Sequence, residues 1–500
     1  MTSPPATGAS HVEVRSGAYA DSVTLLQVSK QVAASPGVVS AQVAMATPLN
    51  LEVLEQMGFA VPPTTPNDMV VALMLAPDAD LAAALATVEA SLAAAGRRAP
   101  GEGAVDEPHR TTGSALRDGG DLVLVSVPGQ HAFVEAMDAL DARRDVMVFS
   151  DNVPLEQEVA LKTVAAEHGL LVMGPDCGTA VVGGVGLGFA NSTRLGPVGV
   201  VAASGTGCQQ LMCLLDAAGV GVSAALGVGG RDLGSAVGGA STREALRRLD
   251  ADPAVELVVV VSKPPAGDVA AAVREFAAGL TTPVHFALLG PGQPDLTIAT
   301  EQVLDALGRT RPSWPVWGDV GDDTPRPGYL RGMFVGGTLC DEAMLLATEA
   351  LGPVRSNIPL SPDLALGPTL TADAHTMVDF GDDALTAGRA HPMIDPTLRL
   401  EHLSRAAADP DTAVLLLDVV LGHGAEPDPA GTLAPAVARA RERARETGRD
   451  LPVVVACVGT DADPQQLTRQ AEALAAAGAE VHLSNAAAAR RAIALTGGPR

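Results

Sequence analysis

The stretch VGVVAASGTGCQQ, residues 198–210, joins a short apolar run to a turn of small residues. A continuous apolar run is typical of a strand that is covered on both faces. Gly205 and Gly207 allow a tight turn, and a helix is predicted to begin there. A strand that passes directly into a helix is the basic unit of α/β folds, so we expect a parallel sheet around this stretch.

The same alternation of short apolar runs and longer helical stretches continues along the chain. It predicts an α/β protein with several mostly parallel sheets. The predicted strands are residues 70–75, 122–127, 146–150, 170–174, 198–202, 257–261, 284–288, 413–418 and 453–458. Gly- and Pro-rich segments at 96–114 and 312–328 predict linkers, and the long segment 353–375 could line a site.

Composition excludes several functional classes. The 500 residues include 33 Lys and Arg against 58 Asp and Glu, a formal net charge of −25, and only 2% are aromatic. Such a charge is repelled by nucleic acid and by anionic membranes, so neither is expected as a partner. The five cysteines have no metal-binding spacing and no metal site is predicted. Residues 1–10 do not resemble a secretory signal, which predicts a cytoplasmic protein.

A weak internal repeat predicts two related half-sites. Residues 204–214 align with residues 336–346 at Gly, Thr, Cys, Met and Leu positions, and each copy follows an apolar run. The free N–H groups and dipole of a helix N-terminus favour an anion. Phosphate or carboxylate is therefore the expected ligand, and the alternative is an ordinary tight turn. The predicted anion-binding residues are Ser204, Gly205, Thr206, Gly207, Gly336, Gly337 and Thr338.

Two basic residues are candidates for holding a substrate. Lys263 follows the apolar run 257–261, and the carboxyl ends of parallel strands are where α/β sheets bind ligands. Arg231 follows Gly229 and Gly230 in a glycine-rich turn and could bind a carboxylate or phosphate in a forked geometry. The alternatives are a solvated strand-end lysine and a surface arginine.

Other polar residues follow predicted strands. Asn152 is a candidate ligand group, although a helix cap is the stronger interpretation, and Asp176 could bind substrate or shape its turn. The segment His391-Pro392-Met393-Ile394-Asp395 places an imidazole beside a carboxylate. His391 and Asp395 are candidate catalytic residues, because an imidazole exchanges protons near neutral pH. The alternative is a hydrogen-bonded loop histidine.

Several of these stretches together resemble the α subunit of succinyl-CoA synthetase. The resemblance spans residues 122–231 and rests on Gly174-Pro175-Asp176-Cys177, on residues 196–206 and on the turn at 227–230. From residue 333 onward the chain resembles the carboxy-terminal domain of the β subunit. Motifs at 151–154, 174–180, 262–265, 336–342 and 391–395 extend a resemblance to the FdrA family of acyl-CoA synthetase-like proteins over nearly the whole chain.

This resemblance implies a domain organisation and a set of ligands. It implies a small α/β domain at 1–95, a partial Rossmann-like CoA-binding-type domain at 115–195 and two flavodoxin-like ligase-type domains at 196–311 and 329–500. Residues 312–328 would be the linker. CoA is a candidate ligand, and partner subunits of a hetero-oligomer are expected.

Two departures from the ligase pattern affect the expected mechanism. The ligases carry a phosphorylated His in a loop after the strand equivalent to 284–288, whereas residues 290–295 here read GPGQPD. The glycine-rich CoA-binding turn and the ATP-grasp segment are not recognised either. We therefore do not expect this chain alone to make an acyl-CoA at the expense of ATP.

The FdrA resemblance implies carbamoyl transfer in ureide catabolism, in which phosphate splits oxalurate into oxamate and carbamoyl phosphate. Orthophosphate would be the co-substrate at the two glycine turns. Lys263 or Arg231 would hold the carboxylate of the carbamoyl substrate, and His391 would protonate the departing nitrogen. The alternatives are an acyl-CoA ligase that another chain completes with nucleotide and histidine, and a non-catalytic assembly subunit that binds CoA or an acyl phosphate.

Overall fold

A computed structural model describes residues 9–497 except 17, 19, 21, 66, 67, 78, 96–108, 110, 320, 322, 323 and 387–389. Most of the predicted linker at 96–114 lies outside the described residues. The chain divides into two compact units, Met1–Glu107 with Ala387–Ala390, and Pro108–Thr386 with His391–Arg500. No described helix is both long and apolar enough to cross a bilayer.

The first unit contains a three-stranded antiparallel sheet with the strand order β1-β3-β2. Its elements are β1 (Ala9–Arg15), α1 (Ser22–Ala33), β2 (Val38–Met45), α2 (Pro48–Gln56), β3 (Met69–Leu75) and α3 (Leu81–Ala95). Both β1 and β2 pair antiparallel with β3. The small α/β domain expected at 1–95 thus has an antiparallel sheet, in which β3 lies between the two strands that α1 connects.

The second unit begins with a small parallel sheet of order β4-β5-β6. Its elements are α4 (Thr112–Ala115), β4 (Leu122–Val125), α5 (Gly129–Asp141), β5 (Asp145–Val148), α6 (Leu155–His168) and β6 (Val172–Met173). Its three strands overlap the predicted strands at 122–127, 146–150 and 170–174.

A six-stranded sheet follows, with the order β12-β11-β9-β10-β7-β8. Its elements are β7 (Thr179–Val182), β8 (Val185–Gly188), β9 (Val198–Ala203), α7 (Gly205–Ala217), β10 (Val222–Gly227), α8 (Ala240–Asp250), β11 (Leu257–Ser262), α9 (Gly267–Ala277), β12 (Val284–Leu288) and α10 (Leu296–Ala306). The hairpin β7–β8 precedes the domain boundary expected at residue 195. It nevertheless belongs to this sheet, since β7 pairs with β10.

The last sheet has seven strands in the order β13-β19-β18-β17-β14-β16-β15. Its strands are β13 (Val316–Trp317), β14 (Tyr329–Phe334), β15 (Val354–Ser356), β16 (His375–Asp379), β17 (Thr412–Val420), β18 (Val453–Val458) and β19 (Glu480–His482). Its helices are α11 (Gly337–Leu351), α12 (Asp383–Thr386), α13 (Thr397–Ala408), α14 (Pro429–Glu446), α15 (Leu467–Ala476) and α16 (Asn485–Ala494), with a 3₁₀ turn at Pro362–Leu364. The predicted linker 312–328 thus contains β13, an antiparallel edge strand, which is a position that the neighbouring prolines tolerate.

Both large sheets contain a point where the connections change direction. Strand β9 lies between β10 and β11, and β14 lies between β16 and β17. Connections leave such a strand toward opposite sides, which opens a crevice at its carboxyl end where α/β proteins bind ligands. Helices α7 and α11 begin at these two points, and Cys208 and Leu211 of α7 share one buried cluster with Leu339 and Ala343 of α11.

Candidate functional site

The N-termini of α7 and α11 lie against each other. Ser204 Oγ and Thr338 Oγ1 are 2.6 Å apart and hydrogen-bonded. A Cβ atom added at Gly336 would lie 2.8 Å from Thr206 Oγ1, and one added at Gly207 would lie 3.0 Å from Thr338 Cγ2. Glycine is therefore required at both positions by space. The two glycine turns that the sequence repeat singles out are brought together by the fold.

Not all of the predicted N–H donors are available to a ligand. The Gly207 N–H donates to Ser204 Oγ at 2.9 Å, and the Gly336 N–H donates to Asp418 Oδ2 at 3.0 Å. These two amides must be removed from the expected set, because side chains of the fold already satisfy them. Within the part of the chain that the structure describes, the N–H groups at the first two positions of each helix have no acceptor, namely those of Gly205, Thr206, Gly337 and Thr338. These four donors and two helix dipoles favour an oxyanion.

Lys263 lies beside these helix ends, directly after β11. Its Nζ is 4.0 Å from Asp341 Oδ2 and would be 2.8 Å from a Cβ at Gly337. Burial lowers the pKa of the ammonium, but the nearby carboxylates of Asp341, Asp379 and Asp176 outweigh it and leave the pKa above its usual value. The side chain is 40% exposed. Lys263 is therefore a cation that a ligand can approach.

Three carboxyl groups around Lys263 have pKa values near neutrality. Burial raises the pKa of Asp379 to about 7 and that of Asp341 to about 6, while Lys263 opposes both shifts. Asp176 is exposed to solvent, yet the surrounding protein, and next the charge of Asp383, raise the pKa of its carboxyl to about 7. Sequence reasoning missed Asp341 and Asp379, although the position of Asp379 at the end of a buried strand was a usable signal.

Arg231 is committed to another interaction. Its Nε donates to Glu158 Oε2 and its Nη2 donates to the Val153 carbonyl, both at 2.8 Å. Glu158 is fully buried and also accepts from Lys162, which donates to Asp232 as well. The expectation that Arg231 is free to hold a substrate carboxylate is therefore corrected. Its guanidinium helps to neutralise a buried carboxylate instead.

The neighbouring glycines and Asn152 shape turns. Gly229 has a φ of +88°, and a Cβ there would lie 2.5 Å from the Pro175 carbonyl oxygen, whereas Gly230 is open to solvent. Asn152 is exposed with a φ of +53°. The cap interpretation for Asn152 is wrong, because Pro154 is the N-cap of α6. An exposed Asn in the left-handed region serves the turn.

His391 and Asp395 differ from their expected chemistry. Burial lowers the pKa of His391 to about 4, so the ring is neutral at pH 7 and is a poor acid. The Met393 N–H donates to His391 Nδ1 at 3.3 Å, which leaves the proton on Nε2 beside Gly381. Asp395 Oδ1 accepts from the Thr397 N–H and hydroxyl at the start of α13. The Asp395 carboxylate therefore stabilises the first turn of α13.

The arrangement suits anion binding and proton exchange. Burial raises the pKa of the Cys177 thiol to about 12, so it is not a nucleophile. Among the described residues no group of three His, Cys, Asp or Glu side chains has the geometry to hold a metal ion. The site therefore offers four free N–H donors, one ammonium group and carboxyls that titrate near pH 7.

Comparisons with known proteins agree with an acyl-CoA ligase relationship. The CoA-ligase family model matches residues 333–495. The chain is 37% identical to Escherichia coli K12 YahF over 494 residues, which cover 93% of this chain and 95% of YahF. It is 26% identical to the mitochondrial α-2 subunit of ADP-forming succinate–CoA ligase from Trichomonas vaginalis, over 28% of this chain and 46% of that subunit.

A solved structure aligns with most of the chain at a low TM-score. The dinucleotide-forming acetyl-coenzyme A synthetase 1 of Candidatus Korarchaeum cryptofilum, in complex with phosphate and ADP, covers 80% of this chain and 87% of its own. Its sequence is 16% identical and the TM-score is 0.32.

The amino-terminal unit matches a second family model, described as AllF, heavy metal-associated domain, over residues 7–108. Heavy-metal ions of the soft kind are held by Cys thiolates and His imidazoles. Residues 7–108 contain no cysteine and one histidine, His11, whose Nε2 lies 3.8 Å from Glu13 Oε2. This ligand set does not fit a heavy metal, and no metal chemistry is assigned to the unit.

Proposed function

Because this chain belongs to the family of Escherichia coli YahF and is related to succinate–CoA ligase α subunits, we propose that it transfers a carbamoyl group to inorganic phosphate. In the proposed reaction, oxalurate and phosphate give oxamate and carbamoyl phosphate. The FdrA resemblance of its motifs supports this assignment, and the family relationship supports a hetero-oligomer with partner subunits. The observation that carries the proposal is the convergence of two helix N-termini with free amides beside Lys263.

In the proposed mechanism, the protein positions two anions and stabilises a third charge. Phosphate would accept hydrogen bonds from the Gly205, Thr206, Gly337 and Thr338 amides. Lys263 would pair with the substrate carboxylate. A phosphate oxygen attacks the carbamoyl carbon. The two helix N-termini stabilise the developing oxyanion, and they are already in place before the reaction. The C–N bond then breaks, and the nitrogen leaves with a proton as the amide of oxamate.

The loop at 290–295 supports a route without a phosphorylated histidine. Asp295 caps α10 by accepting from the Ile298 N–H at 2.8 Å and pairs with Arg490 at 2.5 Å. This segment thus has a structural role in holding α10. Direct attack by phosphate needs no phosphate carrier on the chain.

The experiment measures phosphate-dependent release of carbamoyl phosphate from oxalurate by the complex purified with its co-expressed partner subunits. We expect turnover that needs both phosphate and this chain, and a Lys263→Ala variant at least tenfold lower in kcat/KM. Arg311→Ala removes a surface cation paired with Asp305 and serves as the control. Turnover by the partner subunits without this chain would show that the chain is not catalytic and would favour an assembly role. Unchanged turnover in Lys263→Ala would contradict the assignment of the site.

A second candidate function is that of an acyl-CoA ligase subunit, with CoA as ligand and a partner that supplies nucleotide and histidine. The CoA-ligase match over residues 333–495 favours it. Incubation of the co-purified complex with labelled ATP distinguishes the two. An acid-labile phosphoprotein that discharges with CoA and a carboxylic acid would favour the ligase and count against the transferase.

A further inference from the structure

Asp379 holds a fixed position at the end of β16. Its backbone N–H and carbonyl are both bonded to the Asn357 side chain, at 2.9 and 2.8 Å. Its Oδ1 accepts from the Gly381 N–H at 2.9 Å. The residue is 4% exposed. These contacts with Asn357, which follows β15, and with Gly381 hold the carboxyl group in one orientation.

The second carboxyl oxygen faces the free end of α11. Oδ2 would lie 2.6 Å from a Cβ at Gly337, and within the described ranges it accepts no hydrogen bond. Gly337 carries one of the amides with no acceptor. An oxyanion bound to that amide would thus lie beside Asp379 Oδ2. Two anionic oxygens at such a distance repel, because each disfavours the charged form of the other.

The charged groups around Asp379 come from several elements. Lys263 after β11 favours its ionised form, whereas Asp382 beyond β16 and Asp418 of β17 disfavour it. Asp341 and Cys340 of α11 lie near the same lysine, and neutral His391 packs against Gly381. Burial is the largest influence and raises the pKa of Asp379 to about 7. A small added negative charge is enough to protonate this group near neutral pH.

We propose that Asp379 is a proton-binding residue of the oxyanion site, so that one proton enters with the anion and is donated from Asp379 Oδ2 to an anion oxygen. The proton converts a repulsive contact into a hydrogen bond. The charge of the anion also opposes the influence of Lys263, which is the main one that keeps Asp379 ionised.

The geometry distinguishes Asp379 from its acidic neighbours. Asp341 Oδ2 lies 4.0 Å from Lys263 Nζ, and the pKa of this carboxyl, about 6, is lower than that of Asp379, about 7. Asp176 is exposed, and none of its atoms is among the three nearest to a Cβ at Gly337, whereas Asp379 Oδ2 is. Asp379 is buried, faces the free amide and makes no ion pair within 4.0 Å among the described residues.

The proposed reaction gives this proton a use, and in that respect the inference rests on the proposed function. When the C–N bond of oxalurate breaks, the leaving nitrogen takes the hydrogen of Asp379 and the carboxyl becomes a carboxylate. His391 cannot supply it at neutral pH because the ring is already neutral. Asp379 would thus be the general acid of the reaction.

The test uses sulfate, because its charge does not change between pH 6 and 8.5. Sulfate binding to the full-length protein is measured by calorimetry in buffers of different ionisation enthalpy, which gives the number of protons taken up. We expect uptake approaching one proton at pH 8 and less at pH 6. The affinity should then fall up to tenfold per pH unit above pH 7.

The variants identify the group that binds the proton. Asp379→Asn should bind sulfate without proton uptake and with little dependence on pH, whereas Asp176→Asn and Asp341→Asn should keep the uptake. Asp463→Asn, a buried carboxylate that accepts from the Ser192 and Thr460 amides, is the control for loss of a buried Asp. The wild-type measurement stands even where a variant does not fold.

Three results would overturn the inference. Sulfate binding by the wild-type protein without proton uptake would reject proton coupling while leaving the oxyanion site intact. Uptake that persists in Asp379→Asn and is lost in Asp176→Asn or Asp341→Asn would assign the proton to another carboxyl. No binding at any pH would remove the oxyanion site on which both this inference and the proposed function depend.

Discussion

Ser204 Oγ is hydrogen-bonded to Thr338 Oγ1 at 2.6 Å, although 134 positions separate the two residues and they precede or begin helices of different sheets. Ser204 Oγ also accepts from the Gly207 N–H and so caps α7. One hydroxyl therefore links the cap of one helix to the first turn of another. This link holds the N-termini of the two helices against each other.

Replacing Ser204 by Ala should destabilise the protein by about 1–2 kcal/mol, because a helix cap and a buried hydrogen bond are both lost. Thr338→Val removes one partner of the hydroxyl pair alone and should cost about 1 kcal/mol. Urea unfolding measures both. In a double-mutant cycle the two changes should couple by roughly 0.5–1 kcal/mol, and simple additivity would contradict the direct bond.

Gly337→Ala should abolish anion binding and also lower the melting temperature, because Asp379, which the added Cβ displaces, is held in place by Asn357 and Gly381. The new Cβ would lie 2.6 Å from Asp379 Oδ2 and 2.8 Å from Lys263 Nζ, so both side-chain ends must move. Ala is otherwise favourable at the first turn of a helix. Sulfate calorimetry and thermal unfolding together check this. Gly367→Ala, where no atom lies within 4 Å of the added Cβ, is the control.

Lys162→Met should lower the free energy of unfolding by about 3–5 kcal/mol, because it leaves buried carboxylates without their cation. Lys162 Nζ donates to Glu158 Oε1, Asp232 Oδ1 and the Val228 carbonyl, each at 2.8 Å. Urea unfolding is the measurement.

Arg231→Ala provides the comparison, since it removes the other cation on Glu158. Its side chain is 45% exposed, and the loss should be about 1 kcal/mol or less. Equal losses for Lys162→Met and Arg231→Ala would contradict the assignment of Lys162 as the main counter-charge of this network.

Glu342→Gln should remove a pH dependence of stability. Burial, and next the charge of Asp295, raise the pKa of Glu342 from 4.5 to about 7. Because the folded protein prefers the protonated form, this residue stabilises it most below about pH 4.5, and the contribution is lost as the pH rises to about 7. It amounts to on the order of 3 kcal/mol.

Unfolding in urea between pH 4.5 and 8 checks this expectation. The stability of the wild-type protein relative to Glu342→Gln should fall with increasing pH up to about pH 7 and then stay constant. Parallel curves for the two proteins across this range would show that Glu342 does not titrate in the folded state as inferred.

Local sequence was sufficient to predict the strand-to-helix transitions. The apolar run before Ser204 and the run before Gly336 both become buried strands that lead into helices, as their composition indicates. The domain boundary expected at residue 195 separates β7–β8 from the sheet that they join, since short strands carry no signal of which edge they pair with. β13 was missed because two residues among prolines form no periodic pattern.

The protonation and pairing of the charged residues in the site were harder to predict, because both depend on partners that are distant in sequence. Arg231 and Lys263 follow similar strand-end patterns, yet Arg231 meets Glu158, 73 positions away, and Lys263 makes no hydrogen bond to any described residue. His391 has an ordinary side chain whose pKa falls to about 4 through burial alone. Burial of a polar group is set by packing, which a local pattern does not encode.

The amino-acid sequence by itself determined the α/β class, the two glycine turns and their relation by an internal repeat. These features depend on neighbouring residues, whose apolarity and conformational freedom act locally. Only the tertiary structure decided that the turns meet at Ser204 and Thr338, that Asp418 occupies the Gly336 amide and that Asp379 faces the opening beside Lys263. Hydrogen bonds and Coulomb interactions act through space, so the order of strands in the two sheets selects which groups are paired and which remain free for a ligand.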